Sequence, residues 1–201
     1  MARMPAAERR RQLVEAAIRV MTRDGVARAT ARSIAAEAGV SLSVFHYCFA
    51  SKQDLFESVV ETITEHSVAG VDPSVALEGT VRDTVRAGLR AYWDHVVTHP
   101  GEHMLTYELT QYALRRPGFE HLARRQYERY AAAHVQLVER LRDSAGLELL
   151  VPAATLARYL AVVTDGLTLN HLVLGDPERA EELLDVIADQ CAALVRRPPR
   201  P

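Results

Sequence analysis

Ser43, Val44, His46 and Tyr47 bring a hydroxyl, a methyl-bearing side chain, an imidazole and a phenol into one short stretch, and Lys52 follows with an ammonium group. This mixture suits hydrogen bonding to base edges, apolar contact with thymine methyls and ion pairing with phosphates in a DNA major groove. Other chemistry finds no support. His99 and His103 have the four-residue spacing of a helical metal pair, but Pro100 and Gly101 lie between them and break the helix face, so no metal site is expected. Cys48 and Cys191 lie far apart and read as packed thiols rather than as ligands or a disulfide. No Gly-rich phosphate loop, nucleophile elbow or zinc-deaminase pattern occurs, and Glu181 and Glu182 fall on what should be a solvated helix. Neither enzymatic activity, with its catalytic residues, nor a cofactor is expected.

The elements that must position this set run from Thr30 to Lys52. Ala31, Ile34, Ala35 and Ala38 recur at helical spacing, Gly39 interrupts, and a second short pattern runs from Leu42 to Cys48. Two small helices meeting at a tight turn make a helix-turn-helix, with Thr30 and Ser41 as N-caps. Ile34, Ala38, Val40, Phe45 and Phe49 are its expected core, and the small alanines at 31, 35, 36 and 38 allow close helix approach. The second helix is the expected recognition helix. Lys52 opens the next helix, where a cation opposes the helix dipole, and a phosphate partner explains it better than stability does.

The run AGVSLSVFHYCFASKQDLF resembles the DNA-binding signature of the tetracycline-repressor (TetR) family. In that signature Ala-Gly-Val-Ser opens the recognition helix, an aromatic pair follows, and Phe-x-Ser-Lys-x-x-Leu starts the next helix. The resemblance covers roughly residues 9 to 60; beyond them only helical layout and length match. Ser43, Phe45-His46 and Cys48 depart from the usual residues, so His46 stands where a phosphate-contacting Tyr is usual and Tyr47 is expected to take over that role. The resemblance implies a DNA-facing set of Thr30, Arg32, Ser41, Leu42, Ser43, Val44, His46, Tyr47 and Lys52. It also implies a body that dimerises and holds a ligand-responsive pocket.

Net charge is only −2, but its distribution is uneven. Residues 1–50 hold eight arginines against Glu8, Glu15, Asp24 and Glu37, a net of +4 that leaves −6 for the remainder. A basic head on an acidic body is expected where one end alone meets phosphate. The arginines at 9, 10, 11 and 19 are read either as a solvated face or as phosphate and minor-groove contacts. No apolar run approaches a membrane span, and the basic N-terminus lacks a following apolar segment, so a cytoplasmic protein without membrane association is expected.

The remaining periodicity predicts an all-α chain of about nine helices: a three-helix DNA-binding domain over 1–51 and a larger ligand-binding and dimerisation domain over 52–201. A fourth helix runs from Lys52 to a hinge at Gly70–Asp72, and a fifth from Asp72-Pro73 to about Thr98. A sixth spans Glu102–Arg115, a seventh starts near Pro117 and ends near Ser144, and Pro152 and Pro177 open the eighth and ninth. Trp93, Tyr107, Tyr127, His134 and Asn170 are the expected lining of a cavity for an organic ligand. Leu156, Leu160, Val163, Leu167, Leu184, Ile187, Cys191 and Leu194 are expected to meet the same residues of a second copy in a four-helix homodimer interface. The resulting expectation is a homodimeric repressor released from a palindromic double-stranded operator by a small-molecule effector. A ligand-insensitive DNA binder, an activator, and, less favoured, a helical binding protein or enzyme without DNA function are the alternatives.

Overall fold

The computed structural model describes residues 5–69 and 79–197. Among them lie α1 (Ala6–Asp24), α2 (Ala31–Glu37), α3 (Leu42–Cys48), α4 (Lys52–Ala69), α5 (Val81–Thr98), α6 (Pro100–Arg115), α7 (Glu120–Ala145), α8 (Ala153–Leu174) and α9 (Pro177–Ala193). The architecture is helical, as expected, with one small addition. Strands β1 (Glu148–Leu149) and β2 (Val195–Arg196) form an antiparallel ribbon, with Arg196 paired to Glu148 by two hydrogen bonds of 2.9 and 2.8 Å. No helix of the described residues is long and apolar enough to cross a membrane. The chain forms two compact units: one holds the N-terminal part through Glu65 together with Gly101–Tyr127, the other His66–Pro100 together with Glu128 onward.

The first unit is built on a core shared by α1–α4, α6 and the start of α7. Leu13, Ala17, Val20 and Met21 recur on one face of α1 and are buried with Ile34, Phe45, Phe49, Phe56, Ile63, Leu105 and Leu109. Apolar burial on this scale drives assembly; polar contacts then fix register. At Gly101 an added Cβ would lie 2.6 Å from Thr22 Cγ2, so the start of α6 reaches the end of α1 only because residue 101 lacks a side chain. Further along α6, Glu108 Oε1 accepts a 2.8 Å hydrogen bond from the Val26 N–H beyond α1.

In the second unit Leu89, Trp93 and Val96 of α5 pack with Val138 of α7, Leu156, Ala157 and Leu167 of α8, and Leu184, Ile187, Ala188 and Cys191 of α9. Burial pushes the Cys191 thiol up to about 11, so it is packed and protonated at neutral pH. A charge ladder flanks the core: Arg82, Arg86 and Arg90 on α5 meet Glu181, Asp185 and Asp189 on α9.

Several boundaries differ from expectation. The hinge at Gly70–Asp72 and the Asp72-Pro73 helix start lie outside the described residues. The fifth helix does not run through Gly79 and Thr80: Thr80 is extended, and it caps α5 in a reciprocal box with Asp83. Pro117 does not start α7 either, because it and Gly118, at φ +85°, form the turn before Glu120.

Candidate nucleic-acid interface

Local sequence explains how the recognition helix is held. Thr30 caps α2 as expected, its hydroxyl accepting from the Ser33 N–H at 3.1 Å while Ser33 Oγ accepts from the Thr30 N–H at 3.0 Å. At the other end Gly39 adopts φ +66°, its N–H bonding the Ala36 carbonyl at 3.1 Å while the Val40 N–H bonds that of Ala35 at 2.9 Å. This paired closure needs a left-handed residue, which glycine supplies without a Cβ penalty. Phe45 and Phe49 bury the inner face of α3, and their rings lie 5.4 Å apart. Ser41 occupies the N-cap position of α3, but its hydroxyl accepts no cap hydrogen bond from the helix N–H groups and lies 2.8 Å from that of Ser43. Ala36, expected at the helix contact, is exposed, whereas Ala35 and Ala38 are buried.

The outer face of α3 carries the expected chemistry. Ser41, Leu42, Ser43, His46 and Tyr47 are exposed, Val44 is half-buried, and Tyr47 is 76% exposed, far more than a phenol retained for packing. Arg32 is exposed on α2, and Thr30 is exposed with its hydroxyl engaged in the cap. One arginine of the basic cluster has a structural role. Arg10 donates to the Cys48 carbonyl at 2.5 Å and to Ser58 Oγ at 2.7 Å, ion-pairs with Asp54, and lies 4.4 Å over the Phe49 ring. It thereby clamps the end of α3 to α4, and its guanidinium holds the Asp54 carboxyl below the usual range. Asp54 also accepts from the Ala50 N–H at 3.1 Å while its own N–H donates to Ser51 Oγ at 3.1 Å, the capping-box-like start expected there. Lys52 is half-buried, its Nζ 3.4 Å from Tyr112 Oη and 5.1 and 5.0 Å from the centres of the Phe56 and Tyr112 rings. Those rings supply a partner within the chain for the cation that the helix dipole disfavours.

The residues expected around a ligand are divided between the two units. Tyr107 and Tyr127 belong to the first unit, half-buried and 38% exposed respectively. Trp93 and His134 belong to the second, with Trp93 fully buried and the His134 Nδ1 2.8 Å from the Tyr130 carbonyl. Burial keeps the His134 imidazole below its usual pKa. Asn170, expected among the lining residues, is exposed on α8. Its neighbours Thr168 and His171 face the core instead. Thr168 Oγ1 lies 2.7 Å from Tyr92 Oη, burial raises the Tyr92 phenol's pKa, and the His171 ring meets Trp93 edge-on at 4.7 Å. His171 Nδ1 is the one buried side-chain nitrogen or oxygen among the described residues that lacks a hydrogen bond. Thr164, Thr168 and His171 follow helical spacing, but threonine's modest polarity concealed the inward stripe from sequence reasoning.

The residues expected at a dimer interface lie against the chain's own core. Leu156, Leu167, Leu184, Ile187 and Cys191 are buried in the chain's own core, and Leu160, Val163 and Leu194 pack half-buried against it. A side chain already out of water adds no further apolar burial on association. The exposed large apolar residues are Val162, Leu169, Val173 and Leu174 on α8 and Leu183 and Val186 on α9.

A short exposed polar helix, held by a positive-φ glycine turn against a three-helix core and continued by a helical body, defines a helix-turn-helix DNA-binding regulator. Residues 13–59 match the family model of bacterial regulatory proteins of the tetR family, and residues 81–196 match that of the BetI-type transcriptional repressor C-terminal region. The chain belongs to the TetR family of transcriptional regulators. It is 29% identical over 187 residues to the nicotine-responsive transcriptional repressor HdnoR of Paenarthrobacter nicotinovorans, covering 93% of this chain and 95% of that protein. The multidrug binding protein EbrR complexed with ethidium is 31% identical, covers 90% of this chain with 98% of its own, and superposes with a TM-score of 0.67. A TetR-family regulator from Rhodococcus sp. shares the fold at a TM-score of 0.76 and 17% identity, over 92% of this chain and 99% of its own.

Proposed function

We propose that the chain is a homodimeric repressor that binds a palindromic operator and releases it when a small organic molecule enters the body. Residues 1–51 read DNA, residues 52–201 provide the ligand and partner functions, and the protein works in the cytoplasm. The observation that carries this reading is the exposed face of α3, with Ser43, His46 and Tyr47 outward above a fully packed inner face. Ser43, Val44 and Tyr47 serve as base readers, while Thr30, Arg32, Ser41, Leu42, His46 and Lys52 position the helix on backbone and groove.

Dimerisation is assigned to the exposed faces of α8 and α9. Val162, Leu169 and Val173 form a stripe with Gly166, where an added Cβ would meet nothing within 4 Å in the single chain. That gap lets a second helix approach closely. The ligand site is assigned to Tyr92, Trp93, Thr168, His171 and His134. The unpaired His171 Nδ1 supports this reading, because a buried polar group without a partner costs about 1–3 kcal/mol that a ligand hydrogen bond would recover. HdnoR responds to nicotine and EbrR binds ethidium, which favours an aromatic nitrogen compound as effector.

The test joins two assays on the purified protein: a thermal-shift screen of aromatic amines, and operator binding in the presence of each stabilising compound. The reading expects at least one stabilising compound to lower operator affinity. Compounds that stabilise the protein and leave operator binding unchanged would remove the ligand-released part of it.

A further inference from the structure

Arg10, Arg19, Arg23, Arg82, Arg86, Arg90, Arg125, Arg142, Arg179 and Arg196 all form ion pairs. The turn between α6 and α7 holds arginines placed differently. Residues 112–125 hold four arginines against the single acid Glu120, inside a body whose net charge is negative. Arg115 and Arg116 are exposed, and among the described residues neither has a carboxylate partner. Instead Arg116 lies 5.4 Å from the centres of both the Tyr112 and Phe119 rings. Tyr112 is the ring that also carries Lys52. Two cations therefore share one aromatic ring, and among the described residues neither is ion-paired to a carboxylate.

The turn is held against the start of α4, the helix that follows the recognition helix. Gln53, next to Lys52 in the first turn of α4, donates to the Gly118 carbonyl at 3.0 Å. The Gly118 N–H donates to Glu120 Oε2 at 2.8 Å, and the Phe119 N–H to the Arg116 carbonyl at 3.0 Å. Rings and backbone bonds thus preorganise the Arg116 guanidinium, which lowers the ordering cost of binding an anion. Packing alone accounts for one cation on an aromatic pair. It does not account for a second cation on the same ring and an exposed arginine beside it with no carboxylate on either, all at the start of α4.

We propose that Arg116, with Arg115 beside it, forms a second backbone-phosphate site continuous with Lys52, gripping the duplex outside the bases that α3 reads. This inference rests on the regulator reading above and lengthens the DNA footprint beyond the helix-turn-helix. Each phosphate neutralised contributes about 0.9 to the slope of log affinity against log salt, so one such contact per protomer contributes about two units per dimer. Removing it should reduce the affinity loss between 50 and 200 mM salt by about tenfold.

The probe is a palindromic duplex recovered from a random library by the wild-type protein, with and without flanking base pairs, titrated over a salt series. Arg116→Met keeps an unbranched stem over the rings and removes the charge; Arg116→Lys keeps the charge. The expected result is a shallower salt slope and loss of the flank dependence in Arg116→Met, retention of both in Arg116→Lys, and the same base preference in all three. Equal slopes for wild type and Arg116→Met, or the same loss in both variants, would overturn the phosphate site. Arg115→Met read in the same way covers the case in which Arg116→Met does not fold. Failure of the wild-type protein to retain any duplex would instead remove the regulator reading itself.

Discussion

Replacing Val162 by Glu should turn the dimer into a folded monomer. Val162 is 62% exposed in the single chain, on a face with Gly166, Leu169 and Val173. Burying the rest of such a side chain against a partner stabilises by about 1 kcal/mol. A carboxylate in its place at the two-fold contact is buried without a partner, which costs about 3–5 kcal/mol. Two-fold symmetry doubles the effect to roughly 6–10 kcal/mol, and at 1.4 kcal/mol per tenfold this weakens association by more than four orders of magnitude. In the monomer the same glutamate stays in water, so the fold itself should change by only about 0.5 kcal/mol. Sedimentation equilibrium with far-UV circular dichroism reads both quantities. Leu184→Glu is the contrast, because Leu184 is 0% exposed in the core of α9 and the substitution should unfold the second unit. A Val162→Glu protein that sediments as a dimer, beside a Leu184→Glu protein that is folded and monomeric, would refute the assignment and return the interface to the inward stripe.

Arg10→Met should destabilise the first unit by about 1–2 kcal/mol at neutral pH, after discounting for partial exposure of the Arg10–Asp54 pair. Because Arg10 depresses the Asp54 pKa, its contribution is present above the ordinary carboxylate value and lost as pH falls through the depressed one; an acid-side melting series in which wild type and variant stay parallel would contradict this. Buried His134 has a lowered pKa, so its neutral form contributes stability that is complete above about pH 6.5 and declines as pH falls toward the depressed value. His134→Phe should flatten the melting temperature across that window. Lys52→Ala should weaken binding to every duplex alike and reduce the salt slope, whereas Tyr47→Ala should change which bases a selection enriches; the reverse pattern would exchange their roles. His171→Ala should leave operator binding intact and abolish release by a stabilising compound, and unchanged release would move the ligand elsewhere.

The head was legible because each boundary has its own local signal. Thr30, Gly39 and the Ser51–Asp54 pair lie at element ends whose backbone conformation or hydrogen bonding requires those residue types, and Phe45 and Phe49 repeat at the spacing that buries one face. The body was less legible because α8 and α9 carry apolar residues around most of their circumference. Periodicity then identifies apolar stripes without saying which turns inward, so Leu184, expected at the partner, lies in the chain's own core while Val186 is exposed. Asn170 and Thr168 show the same difficulty, since the more polar residue faces water and the inconspicuous threonine bonds Tyr92 inside. Contacts distant in sequence left little trace. The Glu108 bond to Val26 spans 82 positions, and the β1–β2 ribbon has only two residues per strand, too few for alternation to register.

The central claim is that this chain reads a symmetric DNA sequence through the exposed face of α3. Repeated selection of a random double-stranded library by the purified full-length protein tests it most directly. Enrichment of an inverted repeat is expected, with half-sites about 34 to 36 Å apart or a multiple of that spacing. A pool that remains random after successive rounds, or that converges on single asymmetric sites, would contradict it.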